Sequence, residues 1–69
     1  MKISARNTLK GTIKSIIKGP VNGEVVIDIG GGNLITSIIT TQSIDNMDLK
    51  VGKLVYAIVK ANEVLVAVD

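Results

Sequence analysis

The 69 residues carry eight cations against six anions, hold no cysteine or histidine, and include one aromatic residue, Tyr56. Disulfide staples, soft-metal centres and nucleophile–base constellations built on Cys or His are thereby excluded. No close pair of carboxylates stands in for them, so the chain is expected to be no enzyme, with no catalytic residue and no catalytic cofactor.

A domain this short buries a modest core and usually leans on disulfides, a metal or oligomerisation for robustness. Only the last is open here. The net charge of +2 comes from scattered lysines, which argues weakly for a polyanion partner. No apolar run approaches the ~20 residues of a membrane span, and the first residues lack the apolar core of a signal peptide. The expected location is cytoplasmic, with no membrane partner.

The opening stretch, MKISARN, is polar where a small domain would begin a strand with apolar residues, and Arg6 is the sole arginine. From Leu9 to Lys18 the residues alternate. Leu9, Gly11, Ile13, Ser15 and Ile17 are expected on the inner face, and Lys10, Thr12, Lys14, Ile16 and Lys18 in solvent. KGPVNG then reads as a turn. The second strand, Glu24 to Ile29, should bury Val25, Ile27 and Ile29 and expose Glu24 and Asp28.

Gly30 to Asn33 form a tight hairpin turn; as a phosphate cradle GGGN lacks the Lys-Ser/Thr and the long helix that should follow. The third strand covers Leu34 to Thr40. TTQSIDNMDLKVGK is the one stretch with helical spacing, its helix capped by Thr40 or Thr41 and ending before Leu49. A turn at Val51 to Lys53 leads to a fourth strand, Leu54 to Lys60. A reversal at Ala61 and Asn62 leads to a fifth, Glu63 to Val68. The fold class is all-β: a five-stranded OB-fold-like Greek-key barrel with one short helix between strands 3 and 4.

In the fourth strand both faces are apolar, with Leu54, Tyr56 and Ile58 on one and Val55, Ala57 and Val59 on the other. A small barrel buries one face of a strand, so the second is expected to meet another subunit. Tyr56 is expected to be buried. That weighs against single-stranded nucleic-acid binding, the alternative an OB-fold raises, since it relies on aromatic stacking platforms along a basic groove.

The groups left to do chemistry are small donors and two cations. Arg6 carries a planar fork suited to two oxygens of an oxyanion, and Lys60 a point charge. Ser4, Thr40, Thr41 and Ser43 add hydroxyls, the last three at a helix start with unpaired N–H groups. Such a set suits a tetrahedral dianion. Each member also has a structural reading: Ser4 on a strand edge, Thr40 as a cap, Lys60 as a solvated turn residue.

Taken in order, Ser4-Ala5-Arg6-Asn7, Lys10-Gly11, Gly19-Pro20-Val21-Asn22 with Glu24-Val25, the Gly-Gly turn, Ile35-Thr36-Ser37, Thr40 to Ser43 and Lys60-Ala61 form a specific pattern. It closely resembles the molbindins, small molybdenum-binding proteins whose unit is the Mop domain. The likeness spans essentially the whole chain; family members often have Ser in place of Ala61. It implies a single Mop domain over residues 1–69 that binds molybdate or tungstate in the cytoplasm. The metal is then held as its oxyanion, without direct protein ligands to the metal.

Free-standing members resemble trimers of dimers, implying a homo-oligomer, a homohexamer, with anions held between subunits. The domain also occurs in molybdate-responsive regulators and transporter ATPase subunits; with no such segment in this sequence, the stand-alone form is expected. Carried over by motif, Ser4 and Arg6 come from one subunit. Thr40, Ser43, Lys60 and the Ala61 amide complete the oxyanion site, some of them from a neighbour. A second oxyanion site, on a symmetry axis, falls to Val21 and Asn22.

Overall fold

The computed structural model describes residues 1–69. Four antiparallel strands, β1 (Asn7–Lys18), β2 (Asn22–Gly30), β3 (Asn33–Thr40) and β4 (Leu54–Val59), form one sheet in the order β3-β2-β1-β4. A six-residue helix, α1 (Thr41–Asn46), lies between β3 and β4, and a single 3₁₀ turn (Ala61–Glu63) follows β4.

The long central strand does two jobs. Its first half, Asn7 to Thr12, pairs with β4, and its second half, Thr12 to Lys18, pairs with β2. A bulge between Ile13 and Ser15 marks the change of partner and curls the sheet into an OB-like barrel. The bulge also corrects the expected facing of β1. Lys14 is the extra residue, so the alternation slips by one: Ile16 packs against the core and Ile17 is exposed.

The core is thin. Ile13, Val25, Ile27, Ile44 and Ala57 are its buried side chains, with Ile29, Ile35, Ile39, Leu49 and Val55 packed around them. Val25 and Ile27 of β2 point inward as the alternation predicts. Thr40 is the helix cap, its Oγ1 accepting from the Ser43 N–H at 3.0 Å. Ile44 on α1 then closes the barrel end over Gly23, where an added Cβ would stand 2.4 Å from the Ile44 Cδ1. The β2–β3 hairpin turns at Gly31 and Gly32, whose φ values of 63° and 78° are those of a type I′ turn.

Two further expectations are corrected. Residues 63–68 form no strand: the 3₁₀ turn takes Ala61 to Glu63, Val64 is extended, and the residues beyond it carry no regular structure and pair with no strand. Four strands form where five were expected. Tyr56 is 49% exposed rather than buried, because Val55 and Ala57 take the inward face of β4.

At Gly11 β1 lies against β2 with no room for a side chain: a Cβ there would meet the Asp28 carbonyl oxygen at 2.4 Å and Ile27 Cγ2 at 2.8 Å. Backbone cannot swing aside as a side chain can. Gly11→Ala is expected to destabilise the fold by about 1–3 kcal/mol, in the range of other overpacked sites. Its thermal midpoint should fall by about 4–8 °C for each kcal/mol lost; an unchanged midpoint would show that β1 and β2 can separate there at no cost.

Candidate functional site

Pairing of Asn7 with Val59 fixes the site's location. It brings the polar residues just before β1 alongside those just after β4. Ser4, Ala5 and Arg6 on one side, with Lys60, Ala61 and Asn62 on the other, line an open recess of about 350 Å³. Four of the residues singled out from sequence, Ser4, Arg6, Lys60 and Ala61, therefore meet in one place. Asn62 joins them. Its amide supplies both a donor and an acceptor, and its position next to Lys60-Ala61 was the available signal for it.

The recess holds two cations and no carboxylate. The chain's ion pairs are Lys18 with Asp45 and Lys50 with Asp48, so neither Arg6 nor Lys60 has an anionic partner. Neither donates a side-chain hydrogen bond within the chain. Lys60, at the N-cap of the 3₁₀ turn, gives it no side-chain cap, so no side chain satisfies the turn's first N–H groups. Like charges are thus held together facing solvent, beside a hydroxyl, an amide and uncapped backbone donors. An anion with several oxygens is what such a set lacks.

Thr40 and Ser43 are not in this recess. They stand at the far end of β1, with Val21 and Asn22. Asn22 pairs with Thr40, and the Thr41 N–H donates to the Val21 carbonyl at 2.8 Å. Thr41 Oγ1 donates to the Gly19 carbonyl at 2.7 Å, which docks the start of α1 on the Gly19–Asn22 turn. Thr40 Oγ1 donates to Ser43 Oγ at 2.8 Å, leaving the Ser43 hydroxyl proton free to point elsewhere. The expected donors thus fall into two groups at opposite ends of the barrel. If both groups serve one anion, they come from different copies of the chain.

The other recesses are of a different kind. One of about 180 Å³ opens into the barrel interior among Ile13, Val25, Ile27, Ile39 and Leu49. Another lies between β3 and β4. Tyr56 borders both of these and not the cationic recess. No group of His, Cys, Asp and Glu is placed to hold a metal ion directly.

The TOBE domain family model matches residues 3–66, nearly the whole chain. The chain belongs to this family. Its relatives are of the molbindin type. A probable molybdenum-pterin-binding protein of Haemophilus influenzae is 52% identical over the full length of both chains. The solved structure of a molybdate-binding protein from Sporomusa ovata superposes with a TM-score of 0.90 at 43% identity, covering 97% of this chain and 98% of that one. The cytoplasmic molybdate-binding protein ModG, solved with molybdate bound, gives a TM-score of 0.84 at 43% identity. It matches 88% of this chain and 43% of its own. The OB-like Mop fold expected from the sequence is thus the fold of its relatives.

Proposed function

We propose that this chain is a single Mop domain that binds molybdate or tungstate reversibly and performs no reaction on it. It stores and buffers the oxyanion in the cytoplasm, at sites between the subunits of a homo-oligomer. The observation that carries this reading is the meeting of Arg6 and Lys60, without any counter-charge, beside Ser4 and Asn62. Kinship with molybdate-binding proteins supplies the anion's identity.

In this reading Arg6 spans two oxygens, Lys60 neutralises charge, and Ser4 and the Ala61 N–H donate to the remainder. One copy forms a single open wall. Ser43, held by Thr40, completes the shell from a neighbouring copy. The turn at Val21 and Asn22 contributes to a second site where copies meet about a symmetry axis, as expected for a trimer of dimers. A site made between copies couples ligand to assembly: an anion that binds only the oligomer stabilises it by about 2.7 kcal/mol per site at a hundredfold excess over its dissociation constant.

Selectivity follows from the donor set. Sulfate shares the shape and charge but is smaller, so cavity size must reject it. Phosphate carries a proton on part of its population near neutral pH, and an all-donor shell leaves that O–H facing another donor. A pterin ring would ask for a stacking surface, and the recess contains no aromatic side chain. Single-stranded nucleic acid would ask for several along a basic groove, and Tyr56 is the only aromatic residue.

Calorimetric titration of the assembled protein tests the proposal. Molybdate and tungstate should give saturable heats, and sulfate and phosphate none at the same concentrations. Absence of heat with both metal oxyanions would overturn it.

A further inference from the structure

One side chain in the cationic recess has no structural task. Asn62 lines the recess beside Lys60 and Ala61, is exposed, and makes no side-chain hydrogen bond within the chain. An asparagine in a turn commonly accepts from the backbone two residues on. Asp28 does this in the β2–β3 hairpin, where its carboxylate accepts from the Gly30 N–H at 2.9 Å. Asn62 does not. The Glu63 N–H donates to the Lys60 carbonyl at 2.9 Å, and the Val64 N–H is directed at the Ala61 carbonyl at 3.4 Å. Both ends of the Asn62 amide are therefore free for the recess.

Its neighbours differ from it in kind. Arg6, Lys60 and the Ala61 N–H can only donate. The Ser4 hydroxyl can accept, but it turns freely and enforces neither role. An amide offers N–H groups when turned one way and a carbonyl oxygen when turned the other. The recess decides between the two, because it holds two cations and no carboxylate. Arg6 has more N–H groups than two oxygens of one anion can use. Spare donors on the cations draw the Asn62 oxygen to their side and leave its NH₂ group for the ligand.

We infer that Asn62 is the residue by which the recess tells a fully deprotonated oxyanion from a protonated one of equal charge. Its Oδ1 accepts from Arg6 or Lys60 and its Nδ2 donates to the anion. A ligand oxygen that carries a proton then meets N–H where it needs an acceptor. This role rests on the oxyanion reading given above and deepens it. Cavity size sets sulfate aside, and the amide sets aside ligands of molybdate's size and charge that keep a proton. Hydrogenarsenate is such a ligand. In mildly alkaline solution it is a tetrahedral dianion, close to molybdate in size, with one O–H that molybdate lacks. A carboxylate in place of the amide inverts the preference: it accepts from that O–H, and it repels an oxyanion with no proton to offer.

The test is calorimetric titration of the assembled parent, Asn62→Asp and Asn62→Ala with molybdate and with arsenate, in mildly alkaline buffer. Neither substitution removes a hydrogen bond from the fold, so thermal midpoints without ligand should match the parent's. The parent should prefer molybdate to arsenate by at least about tenfold, the scale of one hydrogen bond to a charged group. Asn62→Ala should weaken molybdate roughly tenfold and narrow that preference. Asn62→Asp should reverse it. The alanine variant also carries the answer if the added charge disturbs assembly. An unchanged molybdate-to-arsenate ratio in the variants of a parent that binds molybdate would overturn the role of Asn62 and leave the oxyanion reading standing. Equal weakening of both anions by Asn62→Asp would overturn it too, being the mark of charge repulsion alone. Absence of molybdate binding in the parent would overturn the oxyanion reading and this role with it.

Discussion

Arg6→Ala is expected to weaken molybdate binding roughly 10- to 150-fold or more, the ~1.5–3 kcal/mol of a hydrogen bond to a charged group. Arg6 makes no hydrogen bond or ion pair within its own chain, so little folding energy depends on it. The ligand-free variant should therefore unfold at the parent's midpoint, within the roughly 0.5 kcal/mol typical of surface substitutions. This separation of binding from stability is what makes the test decisive. Arg6→Lys keeps the charge and loses the planar fork, and should fall between the two. Calorimetry with molybdate gives the affinities, and thermal unfolding without ligand gives the control. Equal affinity in the parent and the alanine variant would remove Arg6 from the site.

The features of this fold that can be read locally are those in which each residue answers to its near neighbours. Val25 and Ile27, two apart on one face of β2 and flanked by Glu24 and Asp28, are buried as alternation requires. The glycines at 31 and 32 take positive φ in the hairpin turn, and Thr40 caps α1. What escapes the sequence is set by partners. Ile16 and Ile17 are adjacent and equally apolar, so either can face inward. The pairing of β1 with β2, through the bulge at Lys14, chooses Ile16. Likewise VLVAV has the pattern of a strand, but a strand exists only beside a partner, and it pairs with neither edge of its own sheet.

The candidate site divides in the same way. Chemistry and family pattern nominate Ser4, Arg6, Lys60 and Ala61. Their meeting depends on Asn7 pairing with Val59, a register between residues 52 positions apart. Thr40 and Ser43 belong to the same pattern and lie at the other end of β1, a separation that only the fold displays. The sequence does not single out Asn62, because an asparagine in a tight turn has an ordinary backbone role; its place in the recess comes from the 3₁₀ turn.

Ile44→Ala is expected to cost about 2–5 kcal/mol of folding stability, the range for emptying a large buried aliphatic site. Ile44 is 1% exposed and, with Ile13, is one of the two largest fully buried side chains in a core of five. It is also the only buried residue of α1. Truncation leaves a void at the barrel end that Gly23, having no side chain, cannot fill. Domains this small keep only a few kcal/mol in hand, so the variant should sit close to its folding threshold. Denaturant titration at fixed protein concentration should show a lower midpoint with little change in slope. Saturating molybdate should restore part of the loss, because a ligand that binds only the folded assembly stabilises it by mass action. A loss below about 1 kcal/mol would show that the void collapses easily and that α1 is not the plug of this barrel. A full loss with no recovery in molybdate would mean that α1 must be seated for the anion to bind. That outcome would tie Ser43, on the same helix, and its N-cap Thr40 to the anion site at the far end of a neighbouring copy.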